Sequence, residues 1–352
     1  VFPAVAVAEA LEAASGDVRV VFCGTSRGLE ARVIPARGWR LERSDVTPIQ
    51  GGGLRRAATG LLSAARASAA AARTVRRLRP RAVLGVGGYA AGPVCAAAAA
   101  LGIPLAVLEP NSVVGLANRL VGPFARRAYI AWDEAAPAFP SRAVRHTGVP
   151  LRRGFTPASY EPHAVLRVLV MGGSQGAAAL NDVMPAAFGR LASRATLADV
   201  VHQTGPDRQD AVRKAYAREG VSRARVVPFI DDVAAAVTEA DLVVARAGAV
   251  TLAEITAIGR PALLVPFPYA ADDHQTRNAQ ALARRGAAVT VAQSDALNGR
   301  LADVLERMLD DVPALRAMAG ASRAQGRPGA ARDVAADLLA LARGATSGGG
   351  RV

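Results

Sequence analysis

The sequence predicts an α/β protein of two doubly wound domains, and three observations carry that reading. Short apolar runs alternate with Ala-rich helical runs along the chain, the pattern of parallel strands joined by crossover helices. The strand candidates fall into two series, divided by a Pro- and Arg-rich segment from Pro137 to Pro162 that reads as the interdomain linker. The length, 352 residues, suffices for two domains of ordinary size. With 51% apolar and only 4% aromatic residues, the cores must be built from Ala, Val and Leu.

In chain order, Val1 to Ala14 already reads as a helix, although a doubly wound domain ordinarily opens with a strand and a Gly-rich turn. Strands are predicted at Arg19–Cys23, Ala82–Val86, Leu105–Leu108 and Ala128–Ala131, with a long helical run at Leu54–Arg79. The second series comprises Arg167–Met171, Asp199–Gln203, Arg225–Pro228, Leu242–Ala245, Ala262–Pro266 and Ala288–Ala292. Helices are predicted at Ala177–Ala192, Asp207–Glu219 and Thr251–Ile258, and a last one at about Ala330–Arg343, before a Gly-rich tail expected to be disordered. The predicted domains are therefore 1–150 and 151–328, then a helix 329–343 and a tail 344–352.

Composition excludes several classes. Cys23 and Cys95 cannot form a disulfide framework or a four-cysteine zinc site, and His146, His163, His202 and His274 lack metal-ligand spacing. No cofactor is implied. The longest apolar run, Val94 to Leu108, is too short for a membrane span and is interrupted by Gly102 and Pro104. Val1 to Leu11 lacks the charged start of a signal peptide. The formal net charge is +14, and residues 51–81 hold eight arginines and no acid. Such a field favours anionic partners: nucleic acid, anionic lipid or a phosphorylated substrate.

Five motifs sit where predicted strands end. Gly172-Gly-Ser-Gln-Gly176 follows a strand and opens a helix; glycines admit an anion to the backbone, and a helix N-terminus offers free N–H groups. Arg246-Ala-Gly-Ala-Val-Thr-Leu-Ala-Glu254 has two readings. Thr251 and Glu254 have the spacing of a capping box, or the amides face a diphosphate and Glu254 holds a ribose diol. Pro266 to Gln275, followed by Asn278, gathers polar groups suited to sugar hydroxyls. Gly85-Val-Gly-Gly-Tyr89 is a weaker phosphate signal, and Glu109-Pro-Asn111 places a carboxylate that is either a general base or a helix-capping acid.

Together with Thr147-Gly-Val-Pro-Leu-Arg152, Asn181, Phe229-Ile-Asp-Asp232 and Gly115-Leu-Ala-Asn118, these segments resemble the MurG family of UDP-N-acetylglucosamine transferases in peptidoglycan synthesis. The resemblance runs in order over nearly the whole chain. It implies a GT-B fold: two Rossmann-like doubly wound domains with the site in the cleft between them, and a C-terminal helix crossing back to the first. It also implies inverting, metal-independent transfer of N-acetylglucosamine to the C4 hydroxyl of N-acetylmuramic acid in lipid I, giving lipid II for cell-wall growth, cell shape and division.

By position, the resemblance implies that Asn111, Ala249 and Gln275 face the donor sugar, and that Arg152 and Ser174 face the diphosphate. Ile230 would line the uracil pocket, Val250, Thr251, Leu252 and Ala253 would complete the donor turn, and Glu254 would bind the ribose. Gly87, Gly88 and Tyr89 would face the acceptor diphosphate, with Glu109 as a candidate catalytic residue. The partners implied are UDP-N-acetylglucosamine, lipid I, an anionic membrane surface and other cell-wall synthesis proteins, at the cytoplasmic face of the inner membrane.

Two departures stand out. The family's opening strand and its Gly-Gly-Thr-Gly-Gly-His-type loop would precede Val1, and with them the histidine proposed as base or acceptor-site residue. The membrane patch, expected at Arg55, Arg56, Leu61, Leu62, Arg66 and Arg73, has arginines but no aromatic side chain, so peripheral binding should be mainly electrostatic. Two other readings compete. One is a UDP-sugar epimerase of the same fold. The other is a nucleic-acid-binding protein, disfavoured because no aromatic residue interleaves the arginines of 51–81.

Overall fold

The computed structural model describes residues 1–26, 28–43, 67–88, 91–173, 176–192 and 198–347. They form two compact units: Val1–Arg152 with Gly329–Val352, and Arg153–Pro328.

In the first unit, α1 (Phe2–Ala14) starts on Pro3, whose missing N–H costs nothing in a first helical turn. Its Val7 and Leu11 pack with Val334, Leu338 and Leu341 of the last helix, α14 (Ala330–Ser347), over Leu108 and Tyr129 of the sheet. Asp337 of α14 accepts from Arg127 Nε (2.7 Å) and from the Tyr129 hydroxyl (3.0 Å), which fixes the helix on this face. The opposite face carries α3 (67–78) and α4 (Ala91–Ala100), which bury Val75, Val94 and Ala97. Gly85 is required there, because a Cβ would sit 2.6 Å from Cys95 Sγ.

Two parallel sheets lie between these helix layers. One joins β1 (Val21–Gly24) to β2 (Arg40–Arg43) through α2 (Glu30–Ala36); the other runs β3 (Val83–Gly85), β4 (Leu105–Glu109), β5 (Arg127–Ile130), β6 (Val144–His146). No described residue pairs β1 with β3, and a cavity of about 1320 Å³ between them is lined by Val7, Leu11, Phe22, Leu84 and Val86. The strand pattern overlooks β2 and β6 because Arg-Leu-Glu-Arg and Val-Arg-His are edge strands rich in charge. The Pro137–Pro162 segment is accordingly not all linker: 3₁₀ turns at Asp133–Ala138 and Ser141–Ala143 and strand β6 fold into the first unit.

The second unit is built on one parallel sheet of six strands. In chain order they are β7 (Leu166–Met171), β8 (Ala198–Gln203), β9 (Ala224–Val227), β10 (Leu242–Ala245), β11 (Ala262–Leu264) and β12 (Ala288–Thr290). In space they run β9-β8-β7-β10-β11-β12. The helices that place functional residues are α6 (Ala178–Ala192), α7 (Gln209–Arg218), α8 (Val233–Glu239), α9 (Ala249–Ile258) and α10 (His274–Arg284), and α11 (Gln293–Leu297), α12 (Arg300–Asp310) and α13 (Val312–Gln325) complete the unit. The chain leaves β7 to one side and returns through β10 on the other, so the topological switch point lies between those two strands. In such sheets a crevice opens at the carboxyl ends of the strands at that point, and ligands bind there.

Candidate functional site

The loops that flank the switch point are two of the glycine motifs. After β7, Gly173 (φ +81°) and Gly176 (φ +72°) occupy left-handed backbone, and the Gly176 N–H closes the turn on the Gly173 carbonyl at 2.9 Å. A Cβ on Gly172 would strike the Ala177 amide, and one on Gly176 would strike the Thr204 carbonyl. Only glycine fits at either place. Ser174 of this loop lies outside the described residues.

After β10, the helix α9 starts from Gly248 with no side chain capping it. The capping-box reading is therefore overturned: Thr251 is the third helical residue, not the cap. The first amides of a helix have no intrahelical acceptor, so the turn Ala249-Val250-Thr251 presents donors and a positive dipole end. Leu252 N–H already returns to the Gly248 carbonyl at 3.0 Å, and Leu252 and Glu254 are buried on the helix while Ala253 is partly exposed. Arg246 braces the base of the turn, donating to the Val265 and Pro266 carbonyls and to Gln293 Oε1, with its guanidinium 5.5 Å from the Phe267 ring centre.

The loop from Pro266 approaches the same sheet edge. Gln275 Oε1 accepts from the Phe267 amide (3.0 Å), which leaves the Nε2 group as the donor side of this carboxamide. Asp272 and Asp273 both adopt φ +52°, the left-handed conformation that Asp tolerates better than most residues. His274 Nδ1 donates to the Ala271 carbonyl at 2.7 Å, a local turn contact rather than the posture of a base. Buried Asn278 donates to the Ala247 carbonyl (3.3 Å), tying α10 to the start of α9. Ile230 follows β9, partly exposed, and Asp232 caps α8 through Ala235 N–H at 2.9 Å.

In the first unit, Glu109 at the end of β4 is 2% exposed. Its Oε1 accepts from the Asn111 amide (3.1 Å) and Asn111 Nδ2 (3.3 Å), and its Oε2 from the Gly115 amide (3.0 Å) and Asn118 Nδ2 (3.0 Å). A carboxylate so saturated organises its loop. Four such contacts on a buried carboxylate are the geometry of a loop brace, and they do not themselves test the candidate catalytic role. Gly87 and Gly88, both in left-handed backbone, lie beside it, a Cβ on Gly87 falling 3.8 Å from Asn118 Nδ2. Asn111 thus belongs to the Glu109 loop, and Arg152 stacks over the Phe2 ring at 5.3 Å. Tyr89, Arg55, Arg56, Leu61, Leu62 and Arg66 lie outside the described residues; Arg73 is exposed on α3.

One surface feature escaped the sequence reading. On α5 (Leu116–Val121) and the 3₁₀ turn after it, Leu116, Leu120 and Phe124 are 54%, 66% and 66% exposed, and Arg119 and Arg126 beside them are exposed too. The signal was the i, i+4, i+8 spacing of large apolar side chains, which reads equally as a core stripe until burial is known.

His202 is a polar group buried for structural reasons. Asn181 donates Nδ2 to the Thr204 carbonyl, so its Oδ1 faces His202 Nε2 (3.0 Å), which carries the proton; the Tyr216 hydroxyl then donates to Nδ1 at 2.9 Å. Burial lowers the imidazole to about 4 from the usual 6.5. Between those values the unfolded chain binds the extra proton, so stability falls as pH drops from 6.5 toward 4, by about 3 kcal/mol over the window. Melting curves across that range should show this slope, and His202→Gln should flatten it. An unchanged slope would place the titration elsewhere.

Comparison with known proteins gives concordant matches. The glycosyltransferase family 28 N-terminal domain matches residues 1–130, and the family 28 C-terminal domain matches residues 167–334. A Sorangium cellulosum protein is 55% identical over 348 residues, covering 97% of this chain and 86% of its own length. It is named UDP-N-acetylglucosamine--N-acetylmuramyl-(pentapeptide) pyrophosphoryl-undecaprenol N-acetylglucosamine transferase. The crystal structure of Acinetobacter baumannii MurG is similar with a TM-score of 0.79 at 32% identity, covering 96% of this chain and 95% of that one. A UDP-GlcNAc 2-epimerase from Neisseria meningitidis bound to UDP-GlcNAc has a TM-score of 0.64 at 12% identity, covering 95% of each chain, a likeness of fold alone.

Proposed function

The chain belongs to the MurG branch of glycosyltransferase family 28, and on that premise we propose that it transfers N-acetylglucosamine from UDP-N-acetylglucosamine to lipid I, giving lipid II. The observation that carries this reading is the uncapped start of α9 beside the Gly172–Gly176 loop at the switch point of the second sheet. The first amides of α9 there offer the kind of backbone donors that suit the charge of a diphosphate.

In the proposed reaction the C4 hydroxyl of N-acetylmuramic acid attacks the anomeric carbon opposite the departing UDP, which inverts that centre. The bond to the diphosphate oxygen breaks, and the amides of the α9 turn meet the charge that develops there, without a required metal. Gln275 reads the sugar through Nε2, Glu254 accepts from the ribose hydroxyls, and Ile230 lines the base. The proton of the attacking hydroxyl is lost to solvent as the glycosidic bond forms, and Glu109, already accepting from four N–H groups, is not proposed as its acceptor.

The test has two parts. Incubation with UDP-N-acetylglucosamine alone separates an epimerase, which needs no acceptor, from a transferase; turnover should appear only with a lipid I analogue, and persist in the presence of a chelator. Calorimetry should then find Glu254→Ala weaker for UDP and UDP-N-acetylglucosamine alike, and Gln275→Ala weaker for the sugar nucleotide only. Each lost bond is worth about 1–3 kcal/mol. Unchanged affinities in both variants would overturn the donor assignment.

Among the described residues no helix is long and apolar enough to cross a membrane. We place the protein peripherally at the cytoplasmic face of the inner membrane, with Leu116, Leu120 and Phe124 inserted among headgroups and the arginines of residues 51–81 attracting anionic lipid. Binding to anionic vesicles should weaken in molar salt yet not vanish, whereas a mainly electrostatic attachment would collapse. Leu120→Asp with Phe124→Asp should remove the salt-resistant part, since each buried apolar side chain contributes about 1.5–3 kcal/mol. Salt-resistant sedimentation by the double variant would exclude this face.

A further inference from the structure

The end of β8 and the turn after it read His202-Gln-Thr-Gly205. Gln203 is 6% exposed, and its Nε2 group donates to two carbonyls, Gly173 at 2.9 Å and Pro228 at 3.3 Å. Gly173 belongs to the loop after β7; Pro228 introduces the Phe229–Ile230 segment after β9. Because β8 lies between β7 and β9, one side chain on the middle of these three strands reaches the loops on both sides. The next residue reinforces the bracket: the Thr204 carbonyl accepts from Asn181 on α6 (3.0 Å) and faces Gly176 so closely that no Cβ fits.

We infer that Gln203 is a positioning residue that locks the loop after β7 and the loop after β9 into one register, so that the diphosphate and the base of a nucleotide are held together. This rests on the donor reading proposed above. The chemistry is specific to a carboxamide. Only a neutral group with two N–H donors satisfies both carbonyls without bringing a charge into a buried place. A carboxylate there would face two carbonyl oxygens with no proton to offer, and a thioether of the same length would fill the space but donate nothing.

The register makes a graded forecast. A ligand that occupies one loop needs no alignment between the two, whereas a ligand that spans both does. Gln203→Met should therefore leave uridine binding nearly unchanged and weaken UDP about tenfold, which is about 1.4 kcal/mol. Gln203→Glu should weaken UDP further, through repulsion of the carbonyls. In turnover with saturating acceptor, Gln203→Met should raise KM for UDP-N-acetylglucosamine by the same factor as the UDP affinity falls, with kcat nearly unchanged. A merely structural role would lower the melting temperature while leaving the ratio of uridine to UDP affinity as in the parent protein.

The experiment is calorimetry of the full chain and both variants with uridine and with UDP, well below their melting temperatures. Parent protein that fails to bind UDP would sink the donor reading itself. Parent protein that binds UDP, alongside Gln203→Met that binds it equally well or loses uridine and UDP in the same proportion, would overturn the tether alone.

Discussion

Glu109→Ala is expected to destabilise the first unit by about 3–5 kcal/mol and to abolish transfer, while UDP still binds to the second unit. Four N–H groups converge on this buried carboxylate from Asn111, Gly115 and Asn118. Alanine would leave them without an acceptor, and a hydrogen bond to a charged group contributes about 1.5–3 kcal/mol. Glu109→Gln separates the two roles considered for this residue. A carboxamide has one acceptor oxygen and one donor nitrogen, so it can serve one pair of donors and must oppose the other. Positioning therefore requires that Gln lower the melting temperature too. A general base requires the opposite: lost kcat at unchanged stability, because the base acts only on the reacting proton. Thermal melts of the three proteins, with UDP calorimetry as the control, give the answer. Native-like melting of Glu109→Gln with dead turnover would restore Glu109 as the base.

Gly176→Ala should have the largest effect on the donor side, reducing UDP and UDP-N-acetylglucosamine affinity at least about a hundredfold, or about 2.8 kcal/mol. Two costs combine. The left-handed backbone at φ +72° is unfavourable for alanine by about 1–2 kcal/mol, and the new Cβ overlaps the Thr204 carbonyl, so the loop after β7 must open. Gly173 supplies the control in the same loop. It has φ +81° but nothing within 4 Å of its Cβ position, so Gly173→Ala carries only the conformational cost. Its affinity loss should be about tenfold or less. Equal losses in the two variants would mean that backbone conformation alone, and not the contact with β8, shapes this loop.

The strand and helix periods of most elements were legible in the sequence because they are local. Val168 to Met171 and Leu242 to Ala245 are short apolar runs of the kind a strand buried on both faces shows, and the glycines after them mark turns whatever surrounds them. The order of the motifs also made the family recognisable. The structure alone decided which strands are neighbours, and so placed the switch point between β7 and β10, since ladder pairing joins residues far apart in the chain. It showed that Gly248, not Thr251, begins α9, because a cap is defined by where the backbone turns. It hid β2 and β6 from a hydrophobic pattern, since edge strands with one neighbour carry charge that central strands exclude. The sequence placed Glu109 at a strand end but left its role open. Only the fold brings Gly115 and Asn118 back onto its carboxylate, because those hydrogen bonds exist only once the segments return.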